Sequence, residues 1–264
     1  MKKILLIIGL FISFYQIISA QYSESIRTGR PGQSIGPFSV GAKTLQLQTG
    51  LTYGYYKESE TDFENQYLSE TTVLRYGFNE LFEVSTAWQY THNGLNDLDL
   101  SEGISASQVG LRFHISDGND GLIPATAFQY RIRINALSRD FKSSHISSKA
   151  VLAFRHRLSN QLSLISNFGI VWNGNNSLPK GIYTISFNFP ISNKIGGFVE
   201  SYGQYEDDTF ETGIDTGIGY LINNHLQLDL SAGINTIKKD LKDYFIDLGI
   251  SWRFPLDKER RRNQ

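Results

Sequence analysis

The sequence predicts an all-β protein, a transmembrane up-and-down antiparallel β-barrel of about twelve strands. Three observations carry the prediction. Nearly every segment after Lys43 alternates apolar and polar residues with period two, the side-chain period of a strand. Each alternating run spans roughly 10 to 13 residues, longer than the roughly 5 to 6 of a globular strand and near the length of a tilted membrane-crossing one. The connections alternate short and long, as in a meander with tight turns at one rim and larger loops at the other.

Along the chain, residues 1–20 read as a signal peptide. Lys2 and Lys3 form its positive start, Ile4 to Ile18 its apolar core, and Ile18-Ser19-Ala20 its cleavage site. That core is shorter than the roughly 20 apolar residues of a spanning helix. Residues 21–42 follow as a polar segment containing RTGRPGQSIGPFSVG. Pro31 and Pro37 lack the N–H that a sheet ladder needs, so this stretch is not expected to be a strand. With the N-terminus in the periplasm it starts at the inner mouth of the barrel. There it is expected to fold into or across the lumen, Arg27, Arg30, Pro31 and Gln33 forming a mouth segment and the two arginines meeting lumen or rim carboxylates. A flexible periplasmic leader is the alternative.

The barrel itself is expected over residues 43–254. Its first strand is KTLQLQTGLTYGYY, with Leu45, Leu47, Thr49, Leu51, Tyr53 and Tyr55 on one face. Its last is KDYFIDLGISWRF, where Tyr244, Ile246, Leu248, Ile250, Trp252 and Phe254 alternate with Phe245, Asp247, Gly249, Ser251 and Arg253. Short turns are expected near 77–80, 116–123, 158–161, 191–194 and 222–225, and longer charged loops between them. An even strand count leaves both termini on the periplasmic side. Residues 255–264, PLDKERRRNQ, form a basic periplasmic tail, expected to be solvated.

Alternation alone leaves open which face points outward, since a soluble barrel buries its apolar face and a membrane barrel exposes it. Long strands, aromatics such as Trp88, Tyr90, Tyr76 and Trp252 near both strand ends, and bulky charges on the other face favour lipid outside. Zero cysteines in an exported chain point to a bacterial envelope protein without a disulfide framework or a lipoprotein anchor. The formal net charge is −1. Loss of Lys2 and Lys3 with the leader leaves 23 basic residues against 26 Asp+Glu, so nucleic acid is excluded as a partner.

The polar face then lines the lumen, and its charges segregate. Arg75, Arg112, Arg131, Arg133, Arg155 and Arg157 fall on strands two to six, and Glu200, Asp215, Asp229 and Asp247 on strands nine to twelve, with Glu83 and Arg253 as exceptions. A basic wall facing an acidic wall has two physical meanings. One is a transverse field across an aqueous pore, which orients solutes and favours anions along the arginines. The other is a set of cross-lumen ion pairs filling a narrow barrel.

No catalytic chemistry is expected. The five histidines do not cluster: His92 and His145 fall in long loops, His225 in a turn, His114 faces the lumen, and His156 faces lipid with Ser163 pointing the other way. Acidic patches at Asp97 with Asp99, and at Glu206-Asp207-Asp208, lack the spacing of a calcium loop. No nucleotide-binding glycine motif is present, and no cofactor or metal is implied.

Arg30-Pro31-Gly32-Gln33-Ser34, then Pro37, then Gly41 and Leu45-Gln46-Leu47-Gln48-Thr49-Gly50, resemble the start of a bacterial outer-membrane transporter family named for the MetA pathway of phenol degradation. The closing DLGISWRF is similar too, although Gly29 stands where the family often has Asp. The resemblance implies a barrel and the movement of small compounds. Phe254, closing an aromatic-alternating strand, also resembles the signal read by the barrel-insertion machinery. The expectation is a channel or transporter in the outer membrane for small solutes, with aromatic or anionic ones as candidates. Its lipid-facing belt would contact outer-membrane lipid. A structural or adhesive barrel with an occluded lumen is the alternative, and a lipid-modifying enzyme comes third.

Overall fold

The computed structural model describes residue 23 and residues 25–58, 64–94, 101–119, 123–134, 137–174, 178–206, 209–236 and 241–257. The expected leader, the acids Asp97, Asp99, Asp207 and Asp208, and tail residues 258–264 lie outside the described residues.

Twelve strands form in chain order: β1 (Thr44–Glu58), β2 (Glu64–Gly77), β3 (Phe82–Asn93), β4 (Ser101–Ser116), β5 (Ala125–Arg133), β6 (Ser147–Ser159), β7 (Leu162–Trp172), β8 (Lys180–Pro190), β9 (Ile195–Glu206), β10 (Thr209–Asn223), β11 (Leu226–Thr236) and β12 (Leu241–Pro255). Each pairs antiparallel with its sequence neighbours, and β12 closes on β1 from Thr44↔Pro255 to Glu58↔Leu241. Closure leaves no sheet edge, which is what a spanning sheet requires where no water can satisfy the backbone. A 3-10 turn at Arg139–Phe141 lies in the connection after β5.

Several strands run longer than their alternating apolar cores. β4 has 16 residues and β1, β10 and β12 have 15 each. The hairpin ladders continue beyond the apolar band, because each pair can go on exchanging backbone hydrogen bonds in water. His92 therefore sits on β3 rather than in a loop, with its Nδ1 2.9 Å from the Glu102 carboxylate.

The orientation of the two faces settles the ambiguity of alternation. Leu51 is 45% exposed and Leu248 57%, while Gln46 is 0% exposed and Arg75 3%. Apolar side chains point out and polar ones point in, the inverse of a soluble barrel. At the short-turn rim, rings follow one another around the wall: Tyr76 lies 4.8 Å from Phe78, and Phe82 lies 4.8 Å from Phe113. Trp252 and Phe254 are 4.4 Å apart on the same rim. At the long-loop rim, Tyr53, Tyr90, Tyr244 and Phe210 are exposed. These are the two aromatic girdles of a transmembrane barrel.

Candidate functional site

The barrel interior is crossed by the segment before β1. Among its backbone groups, the Ile26 N–H donates to the Asn224 carbonyl at 2.9 Å, at the short-turn rim. The Arg27 carbonyl accepts from Gln46 Nε2 at 3.1 Å and from Arg75 at 3.2 Å. Thr28 Oγ1 meets Ser251 Oγ at 2.8 Å. The Gln33 and Ser34 N–H groups donate to the two Glu200 oxygens at 2.5 and 3.0 Å. Asn167 clasps Ile35 in both directions, accepting at 2.8 Å and donating at 2.9 Å. The Pro37 carbonyl lies 2.9 Å from His114 Nδ1, the Phe38 carbonyl accepts from Arg112 at 3.1 Å, and the Val40 N–H donates to Glu83 at 2.9 Å. A segment with no ladder to join must have its buried backbone groups met by side chains, and the inward faces of the strands supply them.

Arg30 makes the charged contact. Its guanidinium pairs with Asp229 at 3.2 Å and, in a close ion pair, with Asp247. Two inward glycines make room for it: Gly50 and Gly249 face each other across the β1–β12 seam, and a Cβ on either would collide with the guanidinium. Gly32, at φ +91°, brings the backbone against the Phe198 ring, where a Cβ would stand 2.8 Å from a ring carbon. We expect Gly249→Val to expel Arg30 from its seat. Trypsin cleavage after Arg27 in the refolded barrel should then speed up markedly over the unaltered protein.

The segment changes the expected electrostatics. Arg30 meets Asp229 and Asp247; the Arg27 guanidinium lies 4.5 Å over the Phe38 ring. Pro31 and Gln33 both lie on the crossing path, Gln33 through its N–H. Among the described residues, none of Glu200, Asp215, Asp229 and Asp247 meets an arginine of β2 to β6, so the two walls do not neutralise each other directly. Asp247 also accepts from Thr52 Oγ1 at 2.6 Å. Asp215, 2% exposed, stands opposite Glu200 across β9 and β10, carboxyl beside carboxyl.

On the other wall, Arg75 forms a two-point pair with Glu83 at 2.7 and 2.8 Å, both side chains buried. The apparent exception Glu83 is thus the partner of Arg75, brought beside it by the β2–β3 hairpin. Arg133 donates to the Ser105 carbonyl, and Arg155 to Ser163 Oγ at 3.3 Å. With its amide turned to accept, Gln129 receives Arg131 at 3.0 and 3.3 Å. Arg157 is exposed near the short-turn rim.

Sequence reasoning missed two sets of interior residues. Lys149, Gln108, Gln129 and Asn167 share the inward parity of the arginines but carry less of a signature than a guanidinium. Inward aromatics were the second set. Tyr56 and Tyr67 stack at 5.0 Å, and Tyr67 donates to Asp243 at 3.2 Å, which also accepts from Asn235 at 2.9 Å. Tyr202 lies over Gly213, and Phe245 over Gly233. Tyr202 could have been found by parity, being two residues from Glu200; Phe245 lies on the face it shares with Asp247, where the alternation of the last strand places it.

Two cavities border the basic wall, and the first of them also reaches across to β7 through β11. A cavity of about 470 Å³ occupies the short-turn end, touched by Arg27, Arg155 and Arg157. A second, of about 340 Å³, lies beyond the segment, touched by Gln108, Arg131 and Lys149. Gly29, Arg30, Arg75 and Arg112 border both, so the segment is the partition between them. Among the described residues, no Asp or Glu lines either cavity. Nor do three His, Asp or Glu side chains converge as metal ligands there. Glu206, from an acidic patch, pairs with Lys180 at 2.6 Å.

The family profile described as "Putative MetA-pathway of phenol degradation" matches residues 28–254. Among curated proteins, none matches this sequence. An outer membrane channel from Pseudomonas putida F1 superposes with a TM-score of 0.66 at 8% identity, covering 86% of this chain and 100% of that one. The KdgM porin, solved with disordered oligogalacturonate, gives 0.53 at 9% identity over 78% and 99%. The β domain of the Bordetella autotransporter BrkA gives 0.55 at 10% identity over 79% and 98%. At such identities the likeness is one of fold, and an autotransporter β domain shares it with channels.

Proposed function

We propose that this chain, which belongs to the MetA-pathway phenol-degradation family, is an outer-membrane channel for small molecules, with anionic or aromatic solutes as its preferred class. The leader would export it, and the solved outer-membrane channel and porin of like fold support the location and the general role. The observation that carries the anion preference is the placement of free space. The acidic wall is occupied by Arg30, by the Gln33 and Ser34 N–H groups, and by the Tyr67–Asp243–Asn235 cluster. The basic wall borders both cavities. Positive charge in excess of carboxylates along a low-dielectric wall attracts anions into the lumen. In this reading Arg75, Arg112, Arg131, Arg133, Arg155 and Arg157 line the solute path, and Glu200, Asp229 and Asp247 hold the segment.

Single-channel recording of residues 21–264 in a planar bilayer tests it. Discrete steps with reversal potentials favouring chloride over potassium are expected. Arg131→Ala with Arg133→Ala should shift selectivity toward cations while the folded barrel persists. The partition by the segment favours a second reading, a closed structural barrel. Under it the same folded protein is silent, and the double variant lowers thermal stability instead.

A further inference from the structure

We propose that the cavity beyond the segment is a binding site for a small organic anion. Its anionic group would lie against Arg131, Lys149 and Arg112, and its apolar body against Val73, Val151 and Ile182. The inference rests on the channel reading for the route by which the solute arrives.

The argument begins with charge. Arg131 and Lys149 are direct cross-strand partners on β5 and β6, both on the inner face. Like charges directly opposed on neighbouring strands repel. A protein interior compensates such a pair with a carboxylate, yet none borders this cavity among the described residues. Glu83, a lumen carboxylate on this side, pairs with Arg75, accepts from the Val40 N–H and stands opposite Arg112 on β4, which leaves Arg131 and Lys149 as the cations that face this cavity without a carboxylate on its border. Arg131 is laid over Gly110, where a Cβ would stand 2.9 Å from its Cγ, and Gln129 orients its guanidinium. Arg112 is 5% exposed and fixed by the Phe38 carbonyl, so its place is set before any solute arrives.

The shape argues for an organic anion rather than an inorganic one. The volume of about 340 Å³ is at the small end of ligand sites. Val73 and Val151 on the strand walls, with Ile182 on β8, supply an apolar surface beside the cations. An anionic head paired with a flat or compact apolar body uses both. Arginine and lysine together suit a carboxylate, the guanidinium by two-point contact and the ammonium as a point charge.

The experiment uses the refolded mature barrel in detergent, with binding read by calorimetry and by the benzoate-dependent rise in thermal midpoint. Benzoate should bind saturably. Benzamide, its neutral isostere, and inorganic phosphate should each bind about tenfold more weakly or worse, because one loses the charge and the other the apolar body. Lys149→Gln should weaken benzoate by about tenfold, and Arg131→Met with Lys149→Gln should abolish the effect while heat-modifiable mobility confirms a folded barrel. Benzamide matching benzoate, phosphate matching benzoate, or unaltered benzoate affinity in Lys149→Gln would each overturn the proposal. A barrel that binds benzoate but conducts nothing would uphold the site and sink the channel. One that conducts without binding would do the reverse.

Discussion

Deletion of residues 22–40 should raise the single-channel conductance severalfold and, in the same molecule, reduce its preference for anions. Both effects follow from where the segment sits. Gly29 and Arg30 border the two cavities that flank it, so its removal joins them into one path. The removal also takes two guanidinium groups, Arg27 and Arg30, out of the lumen. Asp229 and Asp247 lose their cationic partner, and Glu200 loses the two N–H donors from Gln33 and Ser34. The deletion also removes Glu24, so the protein becomes more negative by one net charge, and its selectivity is expected to move toward cations. Reversal potentials in a salt gradient read the second effect independently of the first. Unchanged conductance would mean that the segment does not limit passage. Raised conductance with unchanged selectivity would mean that Arg30 and its acids lie off the ion path.

Glu83→Ala is expected to cost about 3 kcal/mol of stability, a large loss for one side chain. Glu83 is 1% exposed and Arg75 3%, and the two are joined at two points. Removing the carboxylate leaves a buried guanidinium without its counter-charge, which is costlier than losing an exposed pair. It also frees the Val40 N–H and so unties one anchor of the segment before β1. The urea midpoint of the refolded barrel should fall. The double variant Arg75→Met with Glu83→Leu should recover most of the loss, because it removes both charges rather than one. A double variant as unstable as Glu83→Ala would show that the cost lies in anchoring the segment, not in the stranded arginine.

Much of this architecture was legible in residues. The period of two placed Gln46, Arg75, Arg112, Glu200 and Asp247 on one face of their strands, because alternation is a local property of an extended backbone. The short and long connections ordered the meander, because a hairpin turn is also local. The RTGRPGQSIGPFSVG stretch declared itself a non-strand through Pro31 and Pro37, whose missing donors are a property of the residue alone.

Closure of the sheet decided the rest. It set Asp229 and Asp247 beside the glycine pair Gly50 and Gly249, and only that juxtaposition makes a seat for Arg30, a residue about two hundred positions away from either acid. It turned Glu83 from an exception in a charge pattern into the buried partner of Arg75. It also filled one side of the lumen with Tyr67, Asp243 and Asn235 and left the other side, at Arg131 and Lys149, open. Period and turn length come from neighbours along the chain. Which side chains fill a closed ring, and which face empty space, depends on volumes and charges meeting across it, and these exist only once β12 has found β1.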